Sequence, residues 1–284
     1  MEYVTLNNGV QMPMVGFGVF EIPAEQTAEC VFNALETGYR LIDTAQAYYN
    51  EKEVGDGIQR AIKELGIRCE DIFLTTKVWV TEFGYENAKA SVEESIRKLQ
   101  TDYLDLVLIH QCLSDYYGAY RALEDLYDEG KIKAIGISNF SAERMADIAT
   151  FNRIVPAVNQ VETHLFWQQY DLHEWMAKYN IQHEAWGPLA QHRLKEILEN
   201  PIVKQIADAH GKTPAQIALR QHVQRGIVVI PKSVHKERMK QNLDIFNFEL
   251  TADEMEQLKT LDENKSMWAE YDDPMIVQYA MAEE

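Results

Sequence analysis

A parallel (β/α)8 barrel of the TIM type, within the α/β class, is the architecture this sequence predicts. Three observations carry it: eight short runs rich in Val, Ile and Leu, amphipathic stretches between them, and a length that suits one closed barrel. The runs span residues 14–18, 40–43, 72–77, 104–110, 134–138, 157–160, 181–185 and 227–231. They alternate little between apolar and polar residues, as strands buried on both faces should. The 284 residues are near the ~250 typical of such a barrel, so residues 1–284 are read as a single barrel domain. An open doubly wound sheet is the runner-up.

An N-terminal β-hairpin precedes the barrel. Tyr3-Val4-Thr5-Leu6 and Val10-Gln11-Met12 flank Asn7-Asn8-Gly9, and Asn-Gly supplies the positive φ of a two-residue turn. Residues 24–37, 51–65, 85–99, 120–129, 142–150, 170–179 and 213–223 place apolar side chains at three- and four-residue steps, the helical pattern. Thr213-Pro214 pairs a capping residue with proline at the first helical position. Residues 201–210 add a helix between the seventh and eighth strands. Thr251-Ala-Asp-Glu254 has capping-box spacing and opens an extra helix near the C-terminus.

Twenty-seven Lys and Arg stand against 45 Asp and Glu, a formal net charge of −18. That balance argues against wrapping duplex nucleic acid, since nothing offsets phosphate repulsion overall. Cys30, Cys69 and Cys112 are few, odd in number and outside C-x-x-C spacing, which fits a reducing compartment. Met1-Glu2-Tyr3-Val4 lacks a basic region leading into an apolar one, and no 18-residue apolar window occurs. The expectation is a cytoplasmic protein with neither a nucleic-acid nor a membrane partner.

In a barrel, reactive groups project from the C-terminal ends of the strands. Here those ends carry Asp43, Lys77, His110, Ser138 with Asn139, Gln160, Trp186 and Lys232. A strand must end in something polar, so one such residue means little. An acid, an amine and an imidazole after three consecutive buried strands mean more. With Tyr48 nearby they form a proton-transfer site: an ammonium beside a phenol lowers its pKa by roughly 1–3 units from about 10. Lys77 supplies that ammonium, Asp43 holds it charged, and a neutral His110 donates to a carbonyl oxygen. The set suits reducing or isomerising a carbonyl.

After the eighth strand, Lys232, Lys236, Arg238 and Lys240 cluster in this acidic chain, with Ser233 placed to cap a helix. A helix N-terminus flanked by cations is a phosphate site by dipole and charge. Gly16-Phe-Gly18 holds two of the three glycines of a dinucleotide fingerprint, and His183-Glu184 lacks the second His of a metalloprotease. No metal site is expected.

From Leu6 to about Pro274 the chain resembles the aldo-keto reductases. Gly38-Tyr-Arg-Leu-Ile-Asp43-Thr-Ala with Glu51, Val54 and Gly55 matches one family signature. Ile135-Gly-Ile-Ser-Asn-Phe140 matches a second, and Ile230-Pro-Lys-Ser-Val with Arg238, Gln241 and Asn242 a third. Within that family it resembles a bacterial branch related to 2,5-diketo-gluconic acid reductases and glyoxal or methylglyoxal reductases. The resemblance implies an NADPH-dependent reductase of small aldehydes, α-dicarbonyls and keto-sugars, with Asp43, Tyr48, Lys77 and His110 as its catalytic tetrad. It assigns Ser138, Asn139 and Gln160 to the carboxamide of NADPH, Trp186 to stacking on nicotinamide, and Gly187, Pro188 and Leu189 to the pyrophosphate. It assigns Lys232, Ser233 and Arg238 to the 2′-phosphate, and Gln241 and Asn242 to adenine. Phe20, Trp79 and Gln111 are the expected substrate walls.

Cys112 and Leu165 depart from the family's usual prolines, in loops that bear on substrate preference. The implied partner is a small carbonyl compound, taken by a monomer. The alternative is a nucleotide-binding module or redox sensor of the same fold with little turnover.

Overall fold

The computed structural model describes residues 1–268 and 273–282, without the side chains of Tyr279 and Ala282. The stretch between Trp268 and Asp273 and the last two residues lie outside them. A short antiparallel hairpin, β1 (Tyr3–Thr5) and β2 (Gln11–Pro13), opens the chain, with Val4 opposite Met12. The turn is wider than the sequence predicts. Leu6 and Val10 close it through a backbone bond of 2.9 Å, and only Gly9, at φ +89°, takes the left-handed conformation there. Asn8 instead accepts the Val10 N–H on its side chain.

Eight parallel strands follow: β3 (Phe17–Gly18), β4 (Leu41–Asp43), β5 (Phe73–Val78), β6 (Leu106–Ile109), β7 (Ile135–Ser138), β8 (Val158–Glu162), β9 (Gln182–Trp186) and β10 (Val228–Val229). They pair in chain order. Val15 bridges Val229 in parallel, Gly16 donates its N–H to Val229 O, and Val229 donates to Met14 O. That seam joins first strand to last and closes the (β/α)8 barrel. Every residue of β4 to β8 is buried, which is why those segments read as unalternating apolar runs.

Helices α1 (Ala24–Thr37), α2 (Glu51–Leu65), α3 (Tyr85–Leu99), α4 (Tyr116–Asp128), α5 (Ala142–Phe151) and α6 (Tyr170–Lys178) each follow one strand. After β9 come α7 (Leu194–Glu199), α8 (Pro201–His210) and α9 (Pro214–Gln224); after β10 come α10 (Lys236–Leu243), α11 (Ala252–Lys259) and α12 (Met275–Ala282). Helix α4 begins four residues before its expected start. The Asp115 carboxylate accepts the Gly118 N–H at 2.9 Å, and a glycine in the first turn, a poor helix former, hides that turn from periodicity. The capping boxes Thr213/Gln216 and Thr251/Glu254 form as their spacing predicts. Helix α7 is an addition that the apolar pattern does not announce.

Close packing sets where α2 lies. A Cβ on Gly55 would stand 2.7 Å from the Lys98 carbonyl oxygen and 2.9 Å from Leu99 O, so only glycine lets α2 meet the end of α3 at this distance. That fixes the helix following the loop of Tyr48. A second apolar cluster of Leu165, Ile197, Val203, Ile206, Ile217 and Leu258 binds α7, α8, α9 and α11 to the barrel's flank. Among the described residues no helix is long and apolar enough to cross a membrane.

Candidate active site

The C-terminal ends of the strands converge on a cavity of about 510 Å³, a usual size for a small-molecule site. At its floor Asp43 closes β4 and Lys77 stands on β5, both fully buried. The Lys77 ammonium donates to Asp43 Oδ1 at 2.6 Å, to the Thr44 carbonyl at 2.9 Å and to Tyr48 Oη at 3.1 Å. All three N–H donors are therefore used. Burial works against the charged lysine, but the Asp43 carboxylate and the Tyr48 oxygen outweigh it and hold its pKa above the ordinary value.

Tyr48 sits in a 3-10 turn, Gln46–Tyr48, between β4 and α2. Neighbours with long sequence separation pin that turn. Gln46 Oε1 accepts the Trp79 N–H at 2.9 Å and its Nε2 donates to Ser95 Oγ at 3.2 Å. Buried Asn50 accepts from the Thr44 hydroxyl at 3.0 Å and donates to Val19 O at 3.2 Å. The Tyr48 ring packs 5.0 Å from Phe20 and edge-on to His110 at 5.8 Å; Trp79 meets His110 edge-on at 4.9 Å.

His110 follows β6, and its carbonyl accepts from Asn139 Nδ2 at 3.1 Å. Burial first, and the nearby Lys77 charge second, push its imidazole well below the usual histidine range. It is neutral at pH 7, so it retains one N–H donor.

The far wall is a connected set of amides. Gln160 Nε2 donates to Asp43 Oδ2 at 2.8 Å and to Glu184 Oε2 at 2.9 Å. Ser138 Oγ donates to Gln160 O at 2.9 Å, and Trp186 Nε1 donates to Asn139 Oδ1 at 2.8 Å. Asn139 takes φ +61° and Gly187 φ +60°, so the chain turns sharply after both β7 and β9. At the mouth Lys232 Nζ reaches the Glu21 carbonyl at 3.1 Å.

Asp43, Tyr48, His110, Phe20, Trp79, Gln111, Ser138, Asn139, Gln160, Trp186, Gly187, Pro188, Leu189 and Lys232 all line this cavity, with Lys77 directly behind Tyr48. Ser233, Arg238, Gln241 and Asn242 are outside its lining. Arg238 and Gln241 are exposed on α10, whereas Asn242 is buried. Ser233 does not cap that helix. Its hydroxyl accepts the His235 N–H at 3.1 Å, one residue too early, and His235 precedes α10 with no side-chain cap.

Sequence reasoning missed Glu21, Gln191, His192, Leu194 and Trp268, which also line the cavity. It also missed Glu184 beneath Gln160. One signal was available: Gln182-His183-Glu184 is a polar triplet inside a barrel strand. Of the two departures from the family pattern, Leu165 is fully buried in the flanking cluster. The Cys112 thiol is pushed up to about 11 by burial.

The aldo/keto reductase family model matches residues 14–263. Uncharacterized oxidoreductase YtbE of Bacillus subtilis is 48% identical over 265 residues, covering 92% of each chain. A glyoxal reductase of the same organism is 44% identical over 266 residues, covering 93% of this chain and 94% of its own. The crystal structure of MGS-M4, an aldo-keto reductase enzyme from a Medee basin deep-sea metagenome library, superposes with a TM-score of 0.91. It is 43% identical, with 95% of this chain and 98% of that one covered. Barrel, site and sequence agree: the chain belongs to the aldo/keto reductase family of oxidoreductases.

Proposed function

We propose that the protein reduces aldehydes and reactive ketones, including α-dicarbonyls and keto-sugars, to alcohols with NADPH, and that Tyr48 is the proton donor. The observation that carries this is the buried Lys77 ammonium, held by Asp43 and 3.1 Å from Tyr48 Oη at the floor of the cavity. Tyr48 gives its proton to the carbonyl oxygen. Lys77 stabilises the phenolate left behind, by proximity in a dry site where charge interactions are strong. Asp43 keeps the lysine protonated, and neutral His110 donates an N–H that orients the carbonyl. Phe20, Trp79 and Gln111 wall the substrate.

The donor set fits a nicotinamide nucleotide. Both Gln160 N–H groups are committed to the carboxyl groups of Asp43 and Glu184, so its carbonyl oxygen is the group left for the cavity, beside Ser138 and Asn139, and would hold the carboxamide. Trp186, its indole N–H tied to Asn139, would stack on nicotinamide. Gly187, Pro188 and Leu189 would run along the pyrophosphate. Lys232, Ser233 and Arg238 would hold the 2′-phosphate, with Gln241 and Asn242 near adenine; two cations there favour NADPH over NADH. NADPH, when bound, supplies the hydride that reaches the carbonyl carbon. Every residue in these roles comes from one chain, so a monomer carries the whole site.

Replacing Tyr48 with Phe tests the reading. Loss of a positioned general acid lowers kcat/KM for a reactive aldehyde by roughly 10² or more. Full turnover in Tyr48→Phe would remove Tyr48 from the role. NADPH binding without oxidation against any carbonyl in a panel would instead favour a nucleotide-binding module.

A further inference from the structure

Glu184 has no role in the chemistry above, yet it lies in the same buried polar chain as the tetrad. It stands on β9 with no exposure to solvent and in register with Gln160 of β8 on one side and Val228 of β10 on the other. Its Oε2 accepts from Gln160 Nε2, which also donates to Asp43 Oδ2. Its Oε1 is buried and has no partner among the described residues. The charged groups facing it are Asp43 of β4 and Lys77 of β5. Gln160 and Val228, its register partners, carry no charge.

This arrangement cannot hold Glu184 as a carboxylate at neutral pH. One lysine neutralises one carboxylate, and Lys77 is already spent on Asp43. A second anion here would be desolvated, repelled by Asp43 and short of donors on Oε1. We propose that Glu184 is a positioning residue: it stays protonated at neutral pH and, with Asp43, turns both N–H groups of Gln160 inward. The Gln160 carbonyl is thereby aimed at the cavity, and the Asp43–Lys77–Tyr48 chain keeps a net charge of zero before the reaction. Burial first and Asp43 second push the Glu184 carboxyl up to about 8, which places its ionisation just above neutral. Once ionised, the extra negative charge below the tetrad raises the proton affinity of Tyr48 and opposes proton donation.

The aiming of Gln160 at a nucleotide rests on the reductase reading; the protonation of Glu184 does not. Infrared difference spectroscopy of the apo chain between pH 6 and 9.5 tests the protonation alone. A protonated-carboxyl C=O band lost near pH 8 and missing from Glu184→Gln supports the proposal. No such band, or one that persists in Glu184→Gln, overturns it. The kinetic arm is the pH profile of kcat/KM for glyoxal reduction. A single ionisation at about 8 lowers the wild-type value about tenfold by pH 9, and Glu184→Gln lacks that limb. Parallel profiles for the two proteins overturn the coupling to Tyr48. A chain that titrates as described but oxidises NADPH with no carbonyl would sink the reductase reading and leave the Glu184 assignment standing.

Discussion

Replacing Asp43 with Asn strips the countercharge from a lysine that has no access to water. The Lys77–Asp43 contact is 2.6 Å, with both side chains at the floor of the cavity. At an effective dielectric constant of about 20, the attraction over that distance is roughly 6 kcal/mol. Thr44 O and Tyr48 Oη remain as acceptors, and Glu184, relieved of the Asp43 charge, is free to ionise toward Lys77. Both soften the loss, so the expected destabilisation is about 3 kcal/mol, the low end of the range for a buried pair deprived of one member. In a chain of this size that lowers Tm by on the order of 10 °C.

The sign of the pH dependence follows from Lys77. In the wild type its folded pKa is raised, so the pair stabilises the fold below the unfolded lysine value and is lost only as pH rises through the folded one. Without Asp43, burial dominates and the folded pKa drops beneath the unfolded value. Stability of the variant then rises with pH, and its deficit against wild type narrows between pH 7 and 10. Urea unfolding of wild type, Asp43→Asn and Asp43→Asn/Lys77→Met at both pH values measures this. The double variant, with no stranded charge, recovers most of the loss. A midpoint within error of wild type for Asp43→Asn, or a deficit that widens toward pH 10, would refute the reasoning.

The mouth of the cavity and the α2–α3 contact offer two further tests. Replacing Lys232 and Arg238 together with Ala removes the two charge-assisted contacts proposed for a 2′-phosphate and is expected to weaken NADPH by roughly a hundredfold. NADH changes by less than about threefold, as fluorescence titration would read, and equal losses for both nucleotides would exclude the 2′-phosphate role. Gly55→Ala forces a Cβ to within 2.7 Å of the Lys98 carbonyl. It lowers stability by about 1–3 kcal/mol despite alanine's better helix propensity; a urea midpoint at or above wild type would show that α2 can move away.

How far the site could be read from sequence depended on barrel geometry. Asp43, Lys77, His110, Gln160 and Trp186 sit where buried strands end or nearly end, and a barrel points such residues at one cavity. Position along the chain therefore stood in for position in space. Tyr48 was legible only as a neighbour of Asp43, because its aim is set by Gln46 reaching Trp79 and Ser95, contacts 33 and 49 residues away. Glu184 was hidden for the same reason, since its meaning lies in a bridge that runs from β9 through β8 to Asp43. Trp268 joins the cavity from a segment beyond the last strand, where no periodicity points inward. Ser233 was misread because helix-capping depends on one residue of register, which composition does not resolve.

The seam between Val15 and Val229 also bears on how the molecule is made. From β3 to β9 neighbouring strands are separated by one main helix each, and β9 and β10 by three, so each can pair soon after it leaves the ribosome. The segment around Val15 must wait for nearly the whole barrel to be synthesised before its last neighbour exists. At 5–20 residues per second that interval is on the order of tens of seconds, during which one side of the first strand has no backbone partner. Closure is the last topological event of biosynthesis, and a chain truncated before β10 leaves the ribosome with an open sheet edge at each end.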